Sequence, residues 1–558
     1  MQTMQLDALL LESFHSLYKG HPLNRRAKIL FLAIDAGDKV LIRDGVQDGT
    51  LPVLGRLIGR GLVGETRSVE GFYEGSTWPS FYTGVNPARH GFHRLTQIRP
   101  GTYEFYRCTP GEFITRKPFW DILSTAGKRV AILDIPLSGI SPRVKGIQMV
   151  EWGSHDAAYG FRTWPKNLKR EVLKRFGPHP VDTACDNYGR SAQDFCRFRD
   201  RLIEGIRKKT ELTLHYLKNG EWDFFAQVFT EAHCAGHQCW HLHDPAHPNH
   251  DRDIVSITGD PMREVYRAID GAIGRILEQV DEKTTVWLLA THRMAHNIGA
   301  SFMLEAILEK LNYLKKNPPG SNPAQNTGLK SKIVLARRGW EKLPIPLQSA
   351  LKPALAPLYH SARRIITGGH VSRMNHGLDL TQSSCFPHEN GNLISGIRMN
   401  LKGREPSGLV EPGDELEKLY RRIGEDLYHI VDKESCRPIV NRVLRTSELF
   451  KGEYIDHLPD LLVEWREDQL IGTNHFGGGT AYRLQLVSDQ IGLMEGEYAY
   501  CRTGDHRPEG LFAVFGPGIG SGAIGRSISI MDFAPTFLTS FGLNLPDLDG
   551  KPISEIFR

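Results

Sequence analysis

The sequence is poor in the features that mark specialised proteins. Its 8 cysteines among 558 residues include no C-x-x-C pair, which excludes a disulfide scaffold and fits a reducing compartment. No run reaches eighteen apolar residues, so no membrane-spanning helix is expected. The opening stretch, MQTMQLDALLLESFHSLYKG, lacks a basic n-region, a long apolar core and a small-residue cleavage site. It reads as an amphipathic helix, and the cytoplasm is the expected address. No G-x-x-x-x-G-K-[ST] loop is present, which argues against a P-loop nucleotidase. An excess of 69 basic over 64 acidic residues is too small to build a nucleic-acid-scale field. No solenoid-type repeat occurs.

What is present is an ordinary globular composition, 40% hydrophobic and 24% charged, in a chain long enough for a large core with insertions. Short apolar runs ending in polar or glycine turns read as buried strands of an α/β fold: Ile29 to Ile34, Phe224 to Phe229, Val286 to Ala290 and Leu511 to Phe515. The expected architecture is a doubly wound, mostly parallel sheet flanked by helices. Ligand sites in such sheets lie at the carboxyl ends of strands, which directs attention to Asp35, to Glu231 and His233, and to Thr291 and His292. The organisation expected along the chain is an N-terminal helical extension over 1–27, a first core segment over 28–300, an inserted cap over 301–396 and a second core segment over 397–558. Within the cap, 315–332 has linker composition. Leu416, Leu419, Ile423, Leu427 and Ile430 recur at helical spacing and predict an amphipathic helix leaning on the sheet. Gly520, Gly522 and Gly525 match G-x-G-x-x-G, but the SISIMDF that follows is not an immediate helix, so they read as a glycine loop.

Two stretches carry chemistry. Six histidines, His233, His237, His241, His243, His247 and His250, fall within eighteen residues and make metal binding a live hypothesis. Of these, His233 and His237 stand at i, i+4 beyond a strand, whereas the other four read as loop residues or as groups that orient a ligand. The second stretch, GSTWPSFYTGVNPARHG over 75–91, predicts a helix starting near Thr77 with Pro79 in its first turn. A hydroxyl there sits among unpaired N–H groups, where phosphate also binds, and a cation on it would make it a nucleophile. Taken alone, Thr77 reads better as a plain helix cap, and its neighbours in the chain change that balance.

Taken in chain order, Asp35, T-W-P-S-F-Y-T-G, His233 to His237, Thr291-His292-Arg293-Met294 and T-G-D-H-R-P-E-G resemble the alkaline phosphatase superfamily. Further matching pieces are I-R-M-N-L-K-G-R-E-P, P-D-L-L-V-E-W, and S-I-M-D-F-A-P-T-F-L with D-G-K-P-I. Within that superfamily the resemblance is to type I phosphodiesterases, nucleotide pyrophosphatases and predicted phosphohydrolases or phosphomutases. It implies a metal-dependent hydrolase of a small phosphorylated substrate, with Thr77 as nucleophile and a phospho-threonine intermediate. It also implies one or two divalent ions, Zn²⁺ or Mn²⁺, one held by His233, His237 and His506 and the other by Asp35, Thr77 and His292.

The chain departs from the family pattern twice: His233 stands where an Asp is usual, and Thr291-His292-Arg293 replaces Asp-His-Gly. Each change removes a carboxylate. Glu231 is a candidate compensating acid, and Arg293, Arg398, Arg404 and Arg507 are candidate phosphate partners. A phosphomutase, or a silent binder of phosphorylated ligands, uses the same fold. A sulfatase is disfavoured because Phe81 stands where its arginine is needed. The sequence leaves the oligomeric state open.

Overall fold

The computed structural model describes residues 28–108, 114–153, 160–181, 191–297, 299–317, 377–467, 482–498 and 502–557. The helix expected over 1–27 and nearly all of the 315–332 linker lie outside these residues. The elements that position the site are, in chain order, strands β1 (Lys28–Ile34), β2 (Leu62–Arg67), β3 (Val130–Leu133), β4 (Gly146–Val150), β5 (Arg162–Trp164), β6 (Phe224–Phe229), β7 (Thr284–Ala290), β8 (Arg293–His296), β9 (Cys385–His388), β10 (Ile394–Met399), β11 (Val440–Arg445), β12 (Leu461–Trp465), β13 (Gly504–Arg507), β14 (Glu509–Phe515), β15 (Gly522–Ala523) and β16 (Ile528–Ser529). The helices used below are α1 (Tyr73–Thr83), α2 (Ala192–Lys218), α3 (Glu231–His243), α4 (Pro261–Leu277) and α5 (Asp414–Tyr428).

The main sheet is ten-stranded, in the order β15-β2-β14-β7-β1-β6-β3-β4-β5, with β16 also paired to β2. Strands β7, β1, β6, β3 and β4 run parallel. The Leu511 to Phe515 run does become a strand, but β14 pairs antiparallel with both β7 and β2. The apolar runs are strands because alternate side chains enter two different cores. Phe31, Ala33, Phe224, Ala226 and Val228 belong to one, while Leu30, Leu32, Ile34, Phe225 and Phe229 belong to the other. Each fully buried large side chain among them contributes roughly 1.5–3 kcal/mol of hydrophobic stabilisation.

A smaller antiparallel sheet, β9-β10-β12-β11, packs beside the first core. Strand β10 runs across the expected boundary at 396, and Ile307, Leu308 and Phe386 from the 301–396 segment lie in the main core. The predicted amphipathic helix is α5, and it leans on β11 of the smaller sheet rather than on the main one. The glycine loop forms no helix; Gly522 and Ala523 pair with Leu62 and Val63.

Candidate metal centre

Three chain segments end at one point beyond the sheet. Strand β1 delivers Asp35, followed by a tight turn in which Ala36 has a left-handed backbone (φ +50) and its N–H donates to Thr291 Oγ1. Strand β6 runs into α3, whose spacing places His233 and His237 one above the other on a single face. Strand β7 leads through Thr291 and His292 into β8, which pairs antiparallel with β13 and sets Met294 opposite His506. All of these side chains are buried.

Hydrogen bonds fix which ring nitrogen carries the proton. His233 Nδ1–H donates to Asp35 Oδ2 at 2.8 Å, and His237 Nδ1–H donates to the Gly504 carbonyl at 2.8 Å. Both Nε2 atoms therefore carry lone pairs, and they face each other at 2.9 Å; His506 Nε2 lies 3.0 Å from that of His233. Lone pairs at such distances repel unless positive charge lies among them. The spacing is within about 0.5 Å of the roughly 3.3 Å edge of a tetrahedron with 2.0–2.1 Å metal–nitrogen bonds. Among the described residues, His233, His237 and His506 are the one group of three or more His, Cys, Asp or Glu side chains with donor atoms close enough for an ion. The donor set fits a borderline-soft divalent cation.

Burial opposes the charge on Asp35, but the attraction and hydrogen bond of His233, with help from His292 and Trp78, outweigh it and hold the carboxyl well below its ordinary value. His292 is pushed down to about 4 by burial, against the attraction of Asp35. Its ring stands 4.4 Å from that of His506, and neither nitrogen has a hydrogen-bond partner. Burial, reinforced by neighbouring histidines, takes His506 further down still.

Several sequence expectations require correction. Thr77 is not at a helix N-terminus: α1 starts four residues earlier, and Pro79 lies inside it. The Thr77 hydroxyl donates to the Tyr73 carbonyl at 2.5 Å and touches Ser68 Oγ. Glu231 does not compensate for a lost ligand. As the first residue of α3 it turns away to His179 Nε2 at 2.9 Å and Lys209 Nζ at 3.3 Å. Arg398 and Arg404 are struts of the smaller sheet, bound to Glu405 and, for Arg404, through both terminal nitrogens to Asp460. Arg507, although next to His506, is held by Glu467 and by the carbonyls of His506 and His296. Arg293 lies beside Asp38, and its Nε has no hydrogen-bond partner.

Residues that the sequence did not single out complete the centre. Trp78 Nε1 donates to Asp35 Oδ1 at 2.8 Å, and its place beside Thr77 in the T-W-P-S stretch was the available signal. Arg502 Nη1 approaches His237 Nε2 at 3.3 Å and brings a positive charge to these donors. Thr503 ties the two halves together: its N–H donates to the His237 carbonyl, while its hydroxyl and carbonyl meet His241 Nδ1 and His247 Nε2. His241 and His243, expected in a loop, lie in the last turn of α3, and His241 with His247 from the loop beyond it braces the segment carrying His506 against the helix carrying His233 and His237.

A doubly wound α/β sheet with three imidazoles converging at its strand ends defines an α/β protein with a histidine group that could hold a metal ion. The type I phosphodiesterase / nucleotide pyrophosphatase family model matches residues 29–345, more than half of the chain, and the chain belongs to that family and so to the alkaline phosphatase superfamily. No curated protein matches. Similar solved structures include phosphonoacetate hydrolase from Sinorhizobium meliloti 1021 in complex with phosphonoacetate, at 14% identity and TM-score 0.49, covering 91% of this chain and 94% of that one. Wild-type alkaline phosphatase PafA is similar at 13% identity and TM-score 0.47, covering 95% of this chain and 98% of its own. No helix of the described residues is long and apolar enough to cross a membrane.

Proposed function

We propose that this protein hydrolyses phosphodiesters with the aid of a divalent ion, Zn²⁺ or Mn²⁺, and with Thr77 as nucleophile. The observation that carries the reading is the convergence of the His237 and His506 Nε2 atoms on that of His233, at 2.9 and 3.0 Å. When bound, the ion supplies Lewis-acid stabilisation of the charge that develops on the phosphoryl group. Asp35 accepts a hydrogen bond from His233 Nδ1–H and so keeps the opposite lone pair turned inward, and Trp78 holds Asp35 in place. Arg502, at the rim of the histidines, meets the negative charge of the substrate.

Thr77 lies next to Trp78 in α1, so the helix that orients Asp35 also carries the nucleophile. Its hydroxyl turns off the Tyr73 carbonyl and attacks phosphorus. The Thr77 O–P bond forms, the ester P–O bond breaks, and the departing alcohol takes up the proton. Water then cleaves the phospho-threonine, releasing the phosphomonoester and restoring Thr77.

The test is hydrolysis of bis(p-nitrophenyl) phosphate by the full chain, with and without chelator. Chelation is expected to abolish turnover, with Zn²⁺ or Mn²⁺ restoring it. Thr77→Ala is expected to lower kcat/KM by more than roughly a thousandfold. A Thr77→Ala protein with full metal-dependent turnover would refute the nucleophile, and turnover indifferent to chelation would refute the ion.

A further inference from the structure

We infer that this centre holds one ion and not two, and that His292 serves the phosphoryl group of the substrate instead of a second cation. The inference rests on the reading of the site given above and concerns how that site is filled.

The three Nε2 atoms supply one complete donor set. The residues left for a second ion are otherwise engaged. Both oxygens of Asp35 accept hydrogen bonds, Oδ1 from Trp78 and Oδ2 from His233, so this carboxylate orients a ligand. The Thr77 hydroxyl is bonded to Tyr73 O and Ser68 Oγ. The two other acids nearby are likewise pinned. Asp38 takes Leu41 N–H on one oxygen and Met294 N–H on the other, and Asp505 takes His506 N–H and the Asn392 side-chain amide. Of the three, Asp35 is the one bonded to a histidine side chain of the donor set, while Arg502 already adds positive charge at His237. One dication with Arg502 exceeds the charge of Asp35; a second would meet only Asp38 and Asp505, whose oxygens already hold backbone and amide N–H groups, in a buried site where repulsion between cations is weakly screened.

His292 is the remaining donor. It is buried, both of its ring nitrogens lack partners, and its ring packs edge-on against His506 at 4.4 Å between centroids. It does not join the three-histidine group, whose donor atoms all lie within 4.8 Å of one another. A neutral imidazole so placed, one ring beyond a ligand, has an N–H to give to a phosphoryl oxygen as negative charge builds there.

The experiment is metal analysis of the full chain after Co²⁺ titration, read by elemental analysis and visible absorption, with inorganic phosphate binding measured on the loaded protein. One Co²⁺ per chain is expected. His506→Ala should abolish tight binding. Asp35→Asn should keep one site but weaken it by about 10–100-fold. His292→Asn and Thr77→Ala should leave stoichiometry and Co²⁺ affinity unchanged, while His292→Asn weakens phosphate binding by about tenfold. Two ions in the unaltered chain, falling to one in His292→Asn or Thr77→Ala, would overturn the inference and leave the hydrolase reading intact. No bound ion, with diester hydrolysis unaffected by chelator, would overturn both. A His292→Asn protein that binds phosphate as tightly as the unaltered chain would remove the role given to His292.

Discussion

Lys209 shows how much the centre depends on a residue that never reaches it. Its ammonium is fully buried in α2 and touches the Gly153 and Val228 carbonyls, the Thr230 hydroxyl and Glu231, the residue that opens the helix carrying His233 and His237. Burial works against the charge on Glu231, but Lys209 and His179 prevail and hold its carboxyl below the ordinary range. Lys209→Met leaves that buried carboxylate with His179 as its one remaining side-chain partner among the described residues and is expected to cost about 3–5 kcal/mol in urea unfolding. Adding Glu231→Gln should recover part of the loss, because the buried charge is then removed with its partner. The sequence showed Glu231 two positions before His233 but not the direction in which it points. Its partners lie on α2 and on the loop carrying His179, and no local pattern announces them.

The helix–strand contact between α3 and β13 decides whether the donors stay together. A Cβ on Gly504 would stand 2.3 Å from the Gly236 carbonyl, a backbone atom that cannot move without bending α3. Gly504→Ala is therefore expected to push β13 outward, separating His506 from His233 and lowering Co²⁺ affinity at least tenfold with a smaller loss of stability. A Cβ on Gly236 itself would meet Met294 Cγ at 2.8 Å, so that buried side chain must turn, but no backbone atom stands in the way and alanine is about 1 kcal/mol better than glycine inside a helix. Gly236→Ala should thus fold and bind metal nearly as before; a loss as large as that of Gly504→Ala would refute the contrast. These elements also mark how far sequence reading reached. Apolar runs revealed the strands, and the order of short motifs revealed the histidines, because both signals are local or sequential. The start of α1 at Tyr73 was missed because Ser76, Thr77 and Pro79 imitate a helix N-terminus. Arg398 and Arg404 were misread because only the folded smaller sheet brings Glu405 and Asp460 to them.

Across the molecule, buried histidines set the acid limit. His90 Nδ1 accepts the Phe92 N–H and its Nε2 lies 3.0 Å from Ser80 Oγ, so the fold has room for the neutral ring only. Burial, with His93 nearby, pushes His90 down to about 3, and burial takes His93 to about 3 as well. An exposed imidazole titrates at 6.5. The stability these rings confer is complete above that pH and is lost as pH falls toward 3, because the unfolded chain takes up protons that the folded one refuses. Each contributes a slope of about 1.4 kcal/mol per pH unit. His90→Gln should make the urea midpoint less sensitive to pH between about 6 and 4, whatever its effect at neutral pH; an unchanged slope would refute the assignment.

His233 and His506 are separated by 273 positions along the chain. An unfolded polypeptide cannot present them to one ion except by closing a very large loop, so the proposed affinity for metal belongs to the finished fold. Free cation then acts as a thermodynamic ligand of the native state: at a hundred times Kd it adds about 2.7 kcal/mol, and the melting temperature tracks metal supply. On the proposed reading, a shortage of that metal removes not only turnover but also part of the resistance to unfolding.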